Sequence, residues 1–317
     1  TNENLHKNMI LRNMLKTVGY LKPGRFTSTK AGSVPKLLTQ WKEKLQAAEV
    51  ENSEYCLKSI VRTNHLQSQL PDLEIINLTD EQITTIETCC QCRLARMPLQ
   101  YIVGEWDFLD FTLKMIPPVF IPRPETEGLV QLILERLTKD EAYEFLEVGC
   151  GSGAISLALL KTLKKSTSTA VDCSKSACSL TKENAKILEL DDRIKVYEHR
   201  VSEKGLLPTA AQKYFDFIVS NPPYIKTDEL PNLAPEVLYE NVVALNGGPD
   251  GLTVVRDIFQ IACKHLKPNG YLWMEVDSSH PTEIEKEVGE KFGDILKFKK
   301  GHKDIFGNFR FVEIVKT

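Results

Sequence analysis

The chain has 317 residues, 42% of them apolar and 26% charged, with a net charge of −3, the make-up of a globular protein with room for two domains. No apolar run approaches the ~18 residues that a membrane span needs, and eight cysteines scattered over this length suit free thiols in a reducing compartment rather than a disulfide scaffold. The charge is uneven: residues 1–33 carry +5 and leave −8 on the rest, and an acidic body lacks the field of a nucleic-acid binder.

Residues 1–33 are basic, nearly free of acids and contain Ser and Thr, a composition shared by organellar transit peptides and by disordered basic tails. Residues 34–97 predict a small helical domain. Val34, Leu37, Leu38, Trp41, Leu45 and Ala48 follow helical spacing, a second helix fits Tyr55 to His65, and a third starts at Thr79 with Gln82 completing a capping box. Cys89-x-x-Cys92 lies inside that helical pattern with no second pair and no nearby histidine, so no metal site is expected there. Residues 98–124 predict a hairpin linker, with a strand-like period from Tyr101 to Phe120. Pro122 and Pro124 then fix an extended approach to a helix over Glu125 to Leu137.

Residues 125–317 predict the catalytic domain. Strands at 143–148, 168–172, 193–198, 214–220 and 270–276 alternate with helices near 153–165, 175–189 and 251–266, the pattern of a parallel sheet covered on both faces. A helix at 280–292 and a strand pair at 294–300 and 308–315 close the sheet. The long stretch 221–250, with Pro231, Pro235 and a glycine-rich turn, is placed to serve as a lid or substrate rim.

Two loops carry chemistry. Glu147-Val148-Gly149-Cys150-Gly151-Ser152-Gly153 joins the first strand to its helix, and glycines there let backbone approach a ligand at a helix N-terminus. The spacing departs from the G-x-G-x-x-G of dinucleotide folds and fits the E/D-x-G-x-G-x-G loop of S-adenosylmethionine-dependent methyltransferases. Glu147 either orders the loop or reaches a cofactor ammonium through water. Asp172, at the end of the second strand, either accepts ribose hydroxyls or caps the following helix. The other loop is Asn221-Pro222-Pro223-Tyr224. Prolines end the strand and hold Asn221 extended, so that its side-chain oxygen and the Pro222 carbonyl form an acceptor pair for a planar –NH2 group, with Tyr224 offering a ring face.

Together, Pro98-Leu99-Gln100-Tyr101-Ile102-x-Gly104, IPRPETE at 121–127, EVGCGSGAI at 147–155, SNPPYI at 220–225 and Ala244-Leu245-x-Gly247-Gly248-x-Asp250-Gly251 closely resemble the HemK/PrmC family. These are glutamine N5-methyltransferases acting on the GGQ motif of peptide-chain release factors. The resemblance runs from about residue 35 to 317, and the basic leader looks most like the mitochondrial branch. It implies an α/β fold, a Rossmann-like methyltransferase sheet with a small N-terminal helical domain; residues 34–97, which hold no catalytic constellation, are expected to recognise the substrate. It further implies that Gly149, Cys150, Gly151, Ser152 and Gly153 wrap S-adenosyl-L-methionine, that Asp172 binds ribose, and that Asn221, Pro222, Pro223 and Tyr224 grip the substrate glutamine, with Asn221 also beside the cofactor.

The expected partner is a release factor, met by a monomer in the mitochondrial matrix or alternatively the cytoplasm, with no metal, membrane or direct nucleic-acid contact. The alternative activity is amino-methylation of adenine or guanine in DNA or RNA, since such a clamp also suits a flipped base, or of another protein. None of the six histidines, His199 and His280 included, is expected to be catalytic. The chain departs from the family in two places: Arg200-Val201 stands where relatives carry Asp and an aromatic, and Tyr239-Glu240-Asn241 replaces Tyr-Glu-Pro, an exchange expected to loosen the lid.

Overall fold

The computed structural model describes residues 34–65, 78–202, 204–205, 207–208 and 213–317; the basic leader 1–33 lies outside them. Chain contacts group the described residues up to Gly104, with Pro235–Tyr239, into one unit and the remainder into another.

The first unit holds α1 (Val34–Ala47), α2 (Ser53–His65), α3 (Asp80–Leu94) and α4 (Leu99–Val103). Leu38, Trp41 and Leu45 are buried on one side of α1, as their spacing predicts. The capping box is present: Thr79 Oγ1 accepts from the Gln82 amide at 3.2 Å and Gln82 Oε1 accepts from the Thr79 amide at 2.8 Å. Cys89 and Cys92 are buried in α3. The segment from Tyr101 to Val103, expected to be strand, is helical. Pro98 opens a short turn there and Gly104, at φ 84°, closes it, because a left-handed C-cap suits glycine. Pro235–Tyr239 is tied to these helices by Arg93 and Arg96, which pair with Glu236 at 3.1 and 2.8 Å.

The second unit begins with a tight hairpin, β1 (Glu105–Phe108) and β2 (Phe111–Lys114), shorter than expected. Beyond it Pro117 and Pro118 remove the donors that a longer ladder would need. Then α5 (Pro124–Arg136) starts one residue early, since proline is at ease in the first helical position. The main sheet contains β3 (Glu144–Val148), β4 (Thr167–Asp172), β5 (Ile194–Glu198), β6 (Phe215–Ser220), β9 (Leu266–Glu275), β10 (Leu296–Lys303) and β11 (Phe309–Lys316), in the order β10-β11-β9-β6-β3-β4-β5. β3, β4, β5, β6, β9 and β10 run in one direction, and β11, between β9 and β10, runs antiparallel to both its neighbours. Helices α6 (Ala154–Thr162), α7 (Lys175–Ile187), α8 (Thr253–His265) and α9 (His280–Glu287) follow β3, β4, β8 and β9, β8 being Asn246–Gly248.

The sheet is apolar on both faces, as a covered parallel sheet must be. Phe145 stacks on Phe217 with ring centres 4.8 Å apart, and Trp273 meets Phe217 edge-on at 5.6 Å. β9 begins four residues before its expected start: Leu266 pairs with Phe215, and a register shift follows before Phe217 meets Tyr271. The stretch 221–250 is ordered by β7 (Ile225–Lys226) pairing in parallel with β8, and by three 3-10 turns.

Candidate active site

β3 and β6 are parallel neighbours with Val148 opposite Ser220, while β4 lies on the other side of β3. Chain order therefore reverses at β3, and the crevice at the carboxyl ends of such strands is where open α/β sheets bind ligands. The glycine loop and the Asn-Pro-Pro-Tyr turn leave the sheet side by side at that point. They border a cavity of about 820 Å³, whose wall includes Gly149, Asp172, Asn221, Pro222 and Pro223. A space of this size suits a nucleoside-sized ligand.

The loop after β3 is shaped by backbone. Gly149, Gly151 and Gly153 have φ of 76°, 55° and 86°, a left-handed conformation that side chains disfavour. The Gly149 and Cys150 amides donate to the Val171 carbonyl at 2.8 and 3.2 Å. Asp172 accepts from the Gly151 amide through Oδ2 at 3.0 Å and from the Ser174 amide through Oδ1 at 2.8 Å. Burial raises the Asp172 pKa above the usual carboxylate range, and those two amides oppose the rise. The helix cap is Ser174, which accepts from the Ala177 amide, so Asp172 is free of that duty and stands on the cavity wall beside the exposed thiol of Cys173.

Among the predicted loop residues, Gly149 lies on the wall. Cys150 is buried, with the Thr181 hydroxyl at 3.3 Å from its sulfur, and Ser152 is buried with its carbonyl taken by Asn184 at 2.9 Å. Gly153 turns inward, where a Cβ would sit 3.0 Å from Leu157 and Thr181. Glu147 is 1% exposed and accepts from the Ser156 amide at 3.0 Å. It thus orders the first turn of α6, and burial lifts its pKa to about 8. Arg200 and Val201 also line the cavity, with Val201 and Val254 giving it an apolar side.

Asn221 is held from behind by buried side chains. Asn221 Nδ2 donates to Thr126 Oγ1 at 3.3 Å, and the Thr126 hydroxyl donates to Glu275 Oε2 at 2.7 Å. Thr126 is in the first turn of α5, which packs along β9. Glu275 ends β9 one residue past the Met274 that pairs with Ser220, and so lies beside Asn221. Thr126 and Glu275 are 2% and 1% exposed. Burial lifts Glu275 to about pH 7. Thr126, Arg310 and Asn221 favour its charged form, while Glu125 opposes it.

Neither residue was anticipated from the sequence. The available signal was an acid within the apolar run Tyr271–Val276, at a strand's carboxyl end. Tyr224, expected to offer a ring face, is absent from the cavity wall. Burial pushes its phenol pKa up, with Glu275, Arg310, Arg123 and Asp277 as its charged neighbours.

The stretch 221–250 is anchored at Asn241, the position where an exchange was expected to loosen it. The Asn241 amide donates to the Pro118 carbonyl at 2.8 Å, a bond that a proline there would forfeit. Asn241 Oδ1 also accepts from Val243 at 3.0 Å. Next to it, the buried Glu240 carboxylate binds the Arg123 guanidinium at 2.5 Å and the Ile121 amide at 3.1 Å. His199 lines the cavity, whereas His280 is buried off its wall, with its pKa lowered by that burial. Among the described residues no three side chains are grouped to hold a metal.

The family described as Methyltransferase small domain matches residues 117–249. The human MTRF1L release factor glutamine methyltransferase is 39% identical over 84% of this chain and 81% of its own. The release factor glutamine methyltransferases of Aquifex aeolicus and Lactococcus lactis are 34% and 35% identical, over 79% and 78% of this chain and 87% and 89% of theirs. With that similarity spanning both units and the two loops meeting at the sheet's switch point, the chain belongs to the release factor glutamine methyltransferases, S-adenosylmethionine-dependent enzymes of the methyltransferase fold.

Proposed function

We propose that this chain methylates the side-chain nitrogen of the glutamine in a release factor's Gly-Gly-Gln motif. The observation that carries this reading is the shared cavity: a glycine-loop wall with a carboxylate at a strand end faces an Asn-Pro-Pro wall whose acceptors suit an amide –NH2. The glycine loop and Asp172 would hold S-adenosylmethionine, which when bound would supply a sulfonium methyl group. Val201 and Val254 offer apolar surface for a flat ring in place of the family's aromatic.

An amide nitrogen is a poor nucleophile because its lone pair is delocalised. Asn221 Oδ1 and the Pro222 carbonyl accept the two amide hydrogens and aim the nitrogen, and placement of this kind contributes up to ~7–11 kcal/mol. The N-methylated amide cation is strongly acidic and releases its proton to water, so no histidine is needed as a base.

A lone glutamine offers too little contact to select one protein, so selection falls to surface remote from the reacting atom. The helices of the first unit, whose described residues contribute nothing to the cavity wall, are assigned that role. The composition of residues 1–33 supports a mitochondrial address.

Incubation with cofactor and a release factor, followed by mass spectrometry, tests the reading. One methyl on the Gly-Gly-Gln glutamine is expected, with kcat/KM far higher on the intact factor than on a short Gly-Gly-Gln peptide. No transfer to that glutamine would overturn the activity, and equal kcat/KM on both would remove remote recognition.

A further inference from the structure

We propose that Thr126 and Glu275 are positioning residues that set which end of the Asn221 amide faces the substrate. The inference rests on Asn221 acting as the substrate clamp. An asparagine amide has an acceptor end and a donor end of nearly equal shape, and only its oxygen can receive a substrate –NH2 hydrogen. Something must therefore hold the oxygen outward.

The relay behind Asn221 does this by hydrogen-bond direction. The carboxylate of Glu275 only accepts, so the Thr126 proton, 2.7 Å from Oε2, points at Glu275. The Thr126 oxygen is then left to accept, and it takes Nδ2 of Asn221 at 3.3 Å. A reversed amide would set oxygen against oxygen at that distance. Both relay residues are almost wholly buried, where a mismatched polar pair is costly and water cannot intervene.

The direction depends on Glu275 being charged. The groups facing it are Arg310 on β11, Glu125 on α5, Tyr224 after β6, and the Thr126 and Asn221 side chains. Once protonated, Glu275 can donate to the Thr126 oxygen. The freed hydroxyl proton then turns towards Asn221 and favours the reversed amide. Burial places this protonation at about pH 7, so the clamp weakens as pH falls through that value and strengthens above it. The substrate amide does not titrate in this range.

Four proteins test the relay in methylation of a Gly-Gly-Gln release factor: wild type, Thr126→Val, Thr126→Ser and Glu275→Gln. Thr126→Val is nearly isosteric and removes the hydroxyl. It should lower kcat by roughly tenfold to a hundredfold, as when supporting hydrogen bonds around a site are lost, with S-adenosylhomocysteine affinity unchanged. Thr126→Ser should restore most of the rate. The wild-type kcat/KM should decline below about pH 7, and in Glu275→Gln, whose amide cannot titrate, that decline should be absent.

Asn221→Ala serves as the reference. If it is inactive while Thr126→Val keeps wild-type kcat, the relay is wrong and the clamp stands. If Asn221→Ala is itself fully active, the clamp falls and the relay with it. An unchanged pH profile in Glu275→Gln would likewise overturn the role of Glu275.

Discussion

Two loops leave the same end of the sheet from neighbouring strands, and they keep their shapes by opposite means. The loop after β3 is a backbone object: glycines with left-handed φ, pinned by the Val171 carbonyl and the Asp172 carboxylate. The turn after β6 is stiffened by two prolines but aimed by side chains, through a threonine 95 residues upstream and a glutamate on the adjacent strand. A loop held by its own backbone fails when its own residues change. One aimed from behind can keep its conformation and still present the wrong atom.

The largest effect that separates them is expected from Asn221→Ala. Deleting one orienting polar group costs on the order of 10²-fold in rate, so methylation should fall by that much while calorimetry shows S-adenosylhomocysteine binding unchanged. Loss of both together would mean that the two loops are one cooperative unit. Gly151→Val should give the converse. A β-branched residue at φ 55° is strained by roughly 1–3 kcal/mol, so cofactor affinity should drop about tenfold or more with the fold retained by circular dichroism. Near-normal affinity would show that the left-handed turn is dispensable for binding.

The smallest effect tests the buried support beneath the glycine loop. Burial holds the Glu147 pKa at about 8, well above the 4.5 of an ordinary glutamate. The neutral form is therefore favoured by folding, and this stability is fully present below about pH 4.5 and is lost as pH rises through about 8. Glu147→Gln keeps an oxygen for the Ser156 amide and never ionises. Its melting temperature should exceed wild type by several degrees above pH 8, with the gap closing towards pH 4.5. A constant gap across that range would mean that Glu147 contributes through packing alone.

The same contrast explains what could be read without coordinates. The glycine spacing, the Thr79–Gln82 cap and the alternating strands are local patterns, and the structure places each within a few residues of its expected position. Thr126 and Glu275 are 149 residues apart in the chain, and their proximity is a product of β9 pairing with β6 and α5 lying along β9. No local period encodes that meeting. The early start of β9 was hidden for a related reason: Lys267-Pro268-Asn269-Gly270 reads as a turn, yet the chain passes through it as an irregular stretch of strand. Gly270 fits there because a Cβ would come within 2.8 Å of the Asp216 carbonyl. Leu99–Val103 reads as strand because β-branched and aromatic residues favour strands, while Pro98 and Gly104 bracket a helical turn.

The thiol of Cys173 has a practical consequence. Six of the eight cysteines are buried, whereas Cys173 is exposed on the cavity wall next to Asp172. Partial burial raises its pKa, so it reacts slowly at neutral pH and faster under mildly alkaline conditions. An alkylating reagent meets this sulfur before the six buried ones, and a nucleoside held against Asp172, as proposed, would stand in its path. The rate of alkylation at Cys173 would then register cofactor occupancy without turnover, an added fluorophore or any protein substrate.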